Sequence, residues 1–436
     1  MRRQRINPLG VPMGDIGALD LPSRGGRVRV LDRWLLRRVA RAAGYPPVTM
    51  SLWGGEKVYT PANEEPVGSI EFRDRSALWS AVISPELGFG DAFSAGRIAI
   101  KGDLVEVLFR CYRAMEALGP ETWKRSITGR VPRAGRNTPD ASREHIHHHY
   151  DLGNDFYRLW LDTRMSYTCA YYDAPSMSLE QAQVAKMEHV ARKLMLRPGM
   201  RVVEAGCGWG ALALYMAREY GVRVRAFNIS HEQIAWARDQ AKAEGLDNLV
   251  EYVEDDYRNI AGNIAGNTAG NMAGRYDAFV SVGMLEHVGP DHYVDLGRVV
   301  ERVLDPSGLA LIHSVGRNRP TPPNAWLEQR IFPGSYPPSL REMMAILEPS
   351  NFSVLDVENL RLHYARTLEE WLARFDGALD TVRERYDERF VRAWRLYLGG
   401  CAAAFKANTL QLFQIVFTHP ANNEIPWTRR HIYGSE

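Results

Sequence analysis

Apolar and polar positions along this 436-residue chain keep changing their period, and each change marks an element. Residues 178–196 place apolar side chains at every third or fourth position, which predicts an amphipathic helix. At 201–203 that spacing gives way to a short β-branched run, the mark of a buried strand. Helical spacing returns over 211–220 and again over 230–244, where Ser230 stands as an N-cap. Further apolar runs at 222–228, 249–253, 276–282 and 309–313 read as strands. Strand and helix alternate, so the pattern predicts an α/β fold with a doubly wound sheet.

The N-terminal pattern differs. Residues 48–72 alternate apolar and polar positions and are broken by Pro61 and Pro66, which predicts a few short strands. Residues 87–102 are punctuated by glycine, and 103–118 have helical spacing. This predicts a small α+β N-terminal accessory domain over 1–125. A linker over 126–148 follows, polar and Pro/Gly-bearing at 128–142, and then a catalytic domain over 149–436. Residues 30–43 form a helical pattern with Leu31, Trp34, Leu35 and Val39 on one face and arginines on the other.

Composition narrows the class. No apolar run is long enough to span a bilayer. The N-terminus is basic but lacks the apolar core of a secretory signal. Cys111, Cys169, Cys207 and Cys401 lie far apart, which fits a reducing cytoplasm and argues against disulfides or a zinc knuckle. With 54 basic and 52 acidic residues, the overall charge does not suggest nucleic acid. Residues 1–45 are uneven, with ten arginines against three aspartates. Their helix suits either an anionic membrane surface or packing on its own domain with a solvated arginine face. His145, His147, His148 and His149 have no flanking carboxylate or cysteine cluster, so a helix start at His149 is expected rather than a metal site. Four N-x-A-G tetrapeptides at 259–274 read as a surface loop.

Chemistry concentrates after the first strand of the α/β region. Glu204 ends that strand, and Gly206, Gly208 and Gly210 follow at alternate positions. A dinucleotide site would want G-x-G-x-x-G and an acid after the second strand. Here the acid precedes the turn, and the second strand ends in Asn228. This favours S-adenosylmethionine, a cation without phosphate, over a dinucleotide; a plain glycine turn is the alternative. Glu286 and His313 sit past adjacent strand ends, where such sheets carry function. A dense aromatic set, H-Y-D-L-G-N-D-F-Y-R-L-W-L-D and M-S-Y-T-C-A-Y-Y-D, precedes the nucleotide-binding unit and suits either an aromatic core or a lid.

In order along residues 149–420, the motifs H-Y-D-L-G-N-D-F-Y, S-Y-T-C-A-Y-Y, E-A-G-C-G-W-G, D-Y-R, S-V-G-M-L-E-H-V-G, I-H-S-V-G, I-F-P-G and Y-L-G-G-C-A-A-A-F resemble the cyclopropane fatty acid synthases. The resemblance implies a Rossmann-like class I methyltransferase sheet with a helical lid, and S-adenosylmethionine as cofactor. Its cofactor residues would be Tyr167 and Thr168 of the lid, Glu204, Gly206 and Gly208, then Asn228, Ile229 and Gln233, with Asp256 and Tyr257 beside the adenine. It also implies a bicarbonate ion held by Cys169, Glu286, His313 and Tyr364, and a minor candidate nucleophile in Cys401. Departures at Ser335, Tyr336 and the V-D-L-G-R run ending at Arg298 are expected to reshape the acyl pocket.

The implied reaction adds a methyl to the double bond of an unsaturated acyl chain in a membrane phospholipid. Tyr171, Tyr172, Phe156 and Phe332 would face the resulting cation. Bicarbonate-assisted deprotonation would then close a cyclopropane ring. The alternatives are a methyl-branched or methylene product, methylation of a small amine on the same scaffold, and a non-catalytic binding protein. The expected setting is cytoplasmic, at the inner face of an anionic membrane; a homodimer is left open.

Overall fold

A computed structural model of the chain describes residues 26–119, 152–262 and 275–434. The histidine cluster, the whole linker over 126–148 and residues 263–274 of the tetrapeptide repeat lie outside the described residues. The chain divides into two compact units.

The first unit combines the N-terminal segment with residues 322–333 and 365–410. Its sheet has the order β2-β1-β3-β4, from β1 (Thr49–Leu52), β2 (Glu56–Tyr59), β3 (Ser69–Phe72) and β4 (Ile98–Lys101). The 103–118 pattern forms helix Leu104–Ala117, capped by Asp103 accepting from the Glu106 amide. The later segments are pinned to this unit by polar contacts. Arg330 forks onto Asp91 at 3.0 and 2.9 Å, Glu86 accepts from the Ala325 amide, and Arg392 donates to the Ser94 carbonyl. The helices of 365–410 are therefore built with the N-terminal segment, a grouping that sequence order alone does not reveal.

Helix Val30–Ala42 buries Leu35, Leu36 and Ala40. Leu31 and Trp34, expected on that inner face, instead stand 52% and 49% exposed beside exposed Arg37, Arg38 and Arg41. Asp32 explains the rotation. It is buried, and Arg75 pairs with it through two bonds of 2.9 and 2.7 Å. That turns the Asp32 side of the helix inward.

The second unit holds a seven-stranded sheet of order β10-β11-β9-β8-β5-β6-β7. Its strands are β5 (Arg201–Ala205), β6 (Arg223–Asn228), β7 (Val250–Glu254), β8 (Tyr276–Val282), β9 (Leu304–Gly316), β10 (Ser353–Asn359) and β11 (Gln411–Thr418). All pairs from β7 to β9 are parallel, and β11 alone runs antiparallel to both its neighbours. The strands read as continuous apolar runs because both faces are covered. Val202, Val280 and Leu311 join the core under helices Leu179–Lys193, Ala211–Tyr220 and His231–Ala243. Val203, Phe279 and Ile312, the alternate residues, join the opposite core with Leu296, Val300 and Ile346. Gly297 belongs to that second core: a Cβ there would lie 2.0 Å from the Ile346 carbonyl oxygen. The glycine of V-D-L-G-R thus serves the approach of two helices.

Candidate active site

Sheet order reverses at β5. Its sequence neighbour β6 lies on one side and β8 on the other. A crevice opens where such a reversal occurs, at the carboxyl edge of the strands. Gly206, Gly208 and Gly210 line that point with φ of +82°, +54° and +87°, all left-handed. Each answers a different need. A Cβ on Gly206 would lie 2.8 Å from Cβ of Met284, in the turn after β8, and one on Gly210 would lie 2.4 Å from the Tyr252 hydroxyl. A Cβ on Gly208 would meet nothing within 4 Å, so this glycine faces open space. The Gly206 and Cys207 amides both donate to the Phe227 carbonyl, which ties the turn to β6.

Glu204 is buried at the end of β5, and its Oε2 has no hydrogen-bond partner among the described residues. Burial pushes its carboxyl up to about 8, against the opposing pull of the Lys186 ammonium. Asn228 donates to the Gln233 side chain at 2.7 Å and accepts from the Ile229 amide at 2.8 Å, so these three form one rim at the end of β6. Asp256 accepts from the Arg258 amide and guanidinium, and the Arg258 guanidinium lies over the Tyr257 ring at 5.1 Å. An orphaned acid, an open glycine and a polar rim suit a ligand that brings cationic donors and no phosphate.

The lid begins beside this turn. Trp209 donates to Asn154 at 2.7 Å and packs on Tyr157 with ring centres 5.0 Å apart. Tyr167 packs on Tyr157 and Trp160 at 5.5 and 5.3 Å. Phe156 and Trp160 are fully buried, so this part of the aromatic set is core. Thr168 reaches the turn after β8: a Cβ on Gly283 would lie 2.9 Å from its methyl. Tyr171 corrects an expectation. Both ring faces are covered, by His189 at 4.3 Å and His363 at 4.7 Å, so it offers no face to a cation.

Glu286 and His313 meet at the ends of β8 and β9, where the Gly283 amide donates to the His313 carbonyl. Glu286 Oε1 accepts from the Val315 amide at 2.6 Å, and its shielded Oε2 has no hydrogen-bond partner among the described residues. The neighbouring Ser314 hydroxyl is turned to the Val315 carbonyl at 3.0 Å. Desolvation raises the Glu286 carboxyl to about 7, with the Val315 bond opposing. The Tyr336 amide donates to the Glu286 carbonyl at 2.8 Å, which gives that departure from the family pattern a backbone role.

His313 is buried in β9. Burial first, then the charges of Lys186 and Lys193, hold its imidazole down at about 3, so it is neutral. The Gln414 amide nitrogen lies 3.0 Å from Nδ1, an arrangement that assigns the proton to Nε2. That Nε2 is buried and has no partner among the described residues. Adjacent strand ends therefore carry one unmatched donor and one unmatched carboxylate oxygen.

Cys169 is buried, with its thiol turned to the Ala170 carbonyl at 3.1 Å. Tyr364 sits in the first turn of helix Arg361–Gly377, just past β10, whose Asn359 pairs with Phe413 and, through it, with Ser314 of β9. Both residues thus belong to the same edge. Cys401 belongs to the first unit, buried within helix Glu388–Lys406, where burial pushes its thiol up to about 12. A nucleophile needs the thiolate, so these surroundings leave it a core residue. Among the described residues, no group of three or more His, Cys, Asp or Glu is placed to hold a metal.

The residues missed in the sequence are Gln183 and Lys186, read only as part of an amphipathic helix. Both are buried and bonded to the lid. Charged and amide residues on an inward helical position were the available signal.

The sequence profile of the mycolic acid cyclopropane synthetase family matches residues 137–415. A probable fatty acid methyltransferase of Pseudomonas putida is 33% identical over 396 residues, covering 89% of this chain and 96% of that protein. The cyclopropane-fatty-acyl-phospholipid synthase of Escherichia coli K12 is 42% identical over 278 residues, 63% of this chain and 68% of its own. Among solved structures, mycolic acid cyclopropane synthase CmaA1 complexed with SAH and CTAB aligns with a TM-score of 0.57 and 27% identity, over 63% of this chain and 97% of that one. The chain belongs to the mycolic acid cyclopropane synthetase family, and is an S-adenosylmethionine-dependent methyltransferase of the cyclopropane-fatty-acyl-phospholipid synthase type.

Proposed function

We propose that this methyltransferase acts on the double bond of an unsaturated acyl chain in a membrane phospholipid, and that bicarbonate-assisted deprotonation closes a cyclopropane ring. The observation that carries the reading is the pair of orphaned buried atoms, Glu286 Oε2 and His313 Nε2. Bicarbonate has both an acceptor for the imidazole N–H and a hydroxyl for the carboxylate, so the donor set fits it. S-adenosylmethionine supplies an electrophilic methyl, and the protein's part is to hold the weakly nucleophilic alkene in line with it. Bound bicarbonate would supply the base for the transferred methyl.

Tyr167, Thr168, Glu204, Gly206, Gly208, Asn228, Ile229, Gln233, Asp256 and Tyr257 are proposed to hold the cofactor. Cys169, through its backbone, and Tyr364 join Glu286 and His313 around the base. His313, neutral and with its proton on Nε2, acts as a fixed donor rather than as the base itself. A phospholipid substrate also calls for peripheral contact with a membrane, and the exposed Arg37, Arg38, Arg41 and Trp34 supply a matching surface. The proposed location is the cytoplasmic side of that membrane.

The Pseudomonas putida relative, aligned over most of the chain, is named for fatty acid methylation without a ring product. This favours keeping a second reading, in which the same transfer gives a methyl-branched or methylene lipid. Lipids of a host expressing the chain should gain one CH2 per modified acyl chain in mass spectra. H313Q and E286Q should bind S-adenosylmethionine like the parent while product falls about a hundredfold, the usual scale for a general-base contribution. Normal product formation by both variants would remove the bicarbonate site from the account.

A further inference from the structure

Helix Leu179–Lys193 carries buried polar residues at Gln183, Lys186 and His189, spaced by three along one inward face. Such a stripe is costly unless each member is matched. The matches follow the lid in order. Gln183 Nε2 donates to the Ser166 carbonyl at 3.3 Å and the Thr168 carbonyl at 2.8 Å. Lys186 Nζ donates to the Thr168 hydroxyl at 2.9 Å. The His189 ring stacks on Tyr171, and its Nε2 is matched by Glu358 Oε2 at 2.6 Å. The lid enters this seat through a tight turn in which Asp162 accepts from the Arg164 and Ser166 amides, with Met165 at φ +60°. A buried residue in that conformation is held by its surroundings.

Lys186 does more than hold Thr168. Its ammonium is buried and is the cation opposing the desolvation of Glu204. The groups facing it are Asp162 and Cys169 of the lid, Thr168, Glu204 of β5, and the neutral His313 of β9. Glu204 is in turn faced by the Cys207 thiol and the Tyr252 phenol, both raised by burial and therefore uncharged. Lys186 is thus the common neighbour of the lid pair and of the cofactor-site acid.

We propose that Lys186 is a positioning residue for the cofactor: one buried ammonium fixes Thr168 in the lid and favours the charged form of Glu204, the form that receives the cationic ligand. This rests on the reading in which Thr168 and Glu204 hold S-adenosylmethionine.

The test is calorimetric titration of the full-length protein with S-adenosylmethionine between pH 6 and 9, for the parent, K186M and K186Q. Methionine removes both the donor and the charge; glutamine keeps a donor and removes only the charge. At pH 7, K186M should bind at least about tenfold more weakly, one pKa unit being a factor of ten. In both variants the pH at which affinity levels off should rise by about one unit, since Glu204 loses its facing cation. K186Q should retain more of the affinity. A merely structural lysine would leave the pH profile unmoved. If K186M does not fold, the K186Q profile decides alone. Unchanged profiles with a folded variant overturn the proposal. A parent that binds no S-adenosylmethionine at any pH overturns instead the cofactor assignment of Thr168 and Glu204.

Discussion

Glu204 and Glu286 are carboxyls at the ends of β5 and β8, each raised by desolvation, to about 8 and about 7. His313 and His363 are held down by burial. The two groups act on stability in opposite senses. A raised carboxyl leaves the folded chain holding a proton that the unfolded chain has released, so stability falls as pH rises through that window. A depressed histidine does the reverse below its ordinary range near 6.5. Between pH 6.5 and 8 the carboxyls remain in play, joined in the same sense by His231, which its hydrogen bond to Glu254 holds above its ordinary value. The stability of the ligand-free protein should therefore fall across this interval by at most about 1.4 kcal/mol per pH unit for each carboxyl, and its melting temperature should fall with it. E204Q/E286Q should flatten the fall in a melting series; a flat or rising parent curve would contradict these assignments. Glu204, Glu286 and His313 could be picked out from strand-end position alone; His363, in helix Arg361–Gly377, could not. The unmatched atoms of Glu286 and His313 were not legible, because Val315 and Gln414 reach these side chains only once β9 and β11 pair.

At the scale of elements, the parallel strands and their helices were readable because both sheet faces are buried and the caps stand in the sequence. Ser178 caps helix Leu179–Lys193 with a box to Gln181, and Ser230 caps His231–Ala243. Strand β10 escaped notice because its faces are inverted: Val354 and Val357 are exposed, while Asp356 and Glu358 turn inward to Lys193, from a helix 160 or so residues earlier. The lid is tethered at its far end by a similarly distant partner. The Tyr172 amide donates to His363 Nδ1 at 3.0 Å, and only a neutral imidazole accepts there. Burial holds His363 below its ordinary value, so the tether is intact at neutral pH and is lost on acidification. Exchange of the Tyr172 amide, corrected for intrinsic rate, should accelerate on acidification below the ordinary histidine range and should be fast at all pH values in H363F. Equal protection in H363F and parent would show that the tether does not hold the lid.

For the whole molecule, residues 365–410 build one compact unit with the N-terminal segment, while 411–418 return to the sheet as β11. Local periodicity has no access to that exchange, since it is fixed by contacts such as Arg330 with Asp91. The Pseudomonas putida match covers 89% of the chain, so the N-terminal segment is shared beyond the family-matched residues. Among the described residues no helix is long and apolar enough to cross a membrane. On the proposed reading, lipid contact would be made by helix Val30–Ala42, with its exposed arginines and Trp34. R37Q/R38Q/R41Q should weaken binding to anionic vesicles at about 1 kcal/mol per arginine and reduce its salt dependence, read by co-sedimentation. Unaltered sedimentation would move the membrane surface elsewhere.

Proton NMR of unsaturated phospholipid vesicles, incubated with the purified protein, S-adenosylmethionine and bicarbonate, tests the central claim most directly. The account predicts olefinic signals lost one for one with the appearance of cyclopropane methylene signals. Consumption of S-adenosylmethionine with the olefinic signals intact would contradict it.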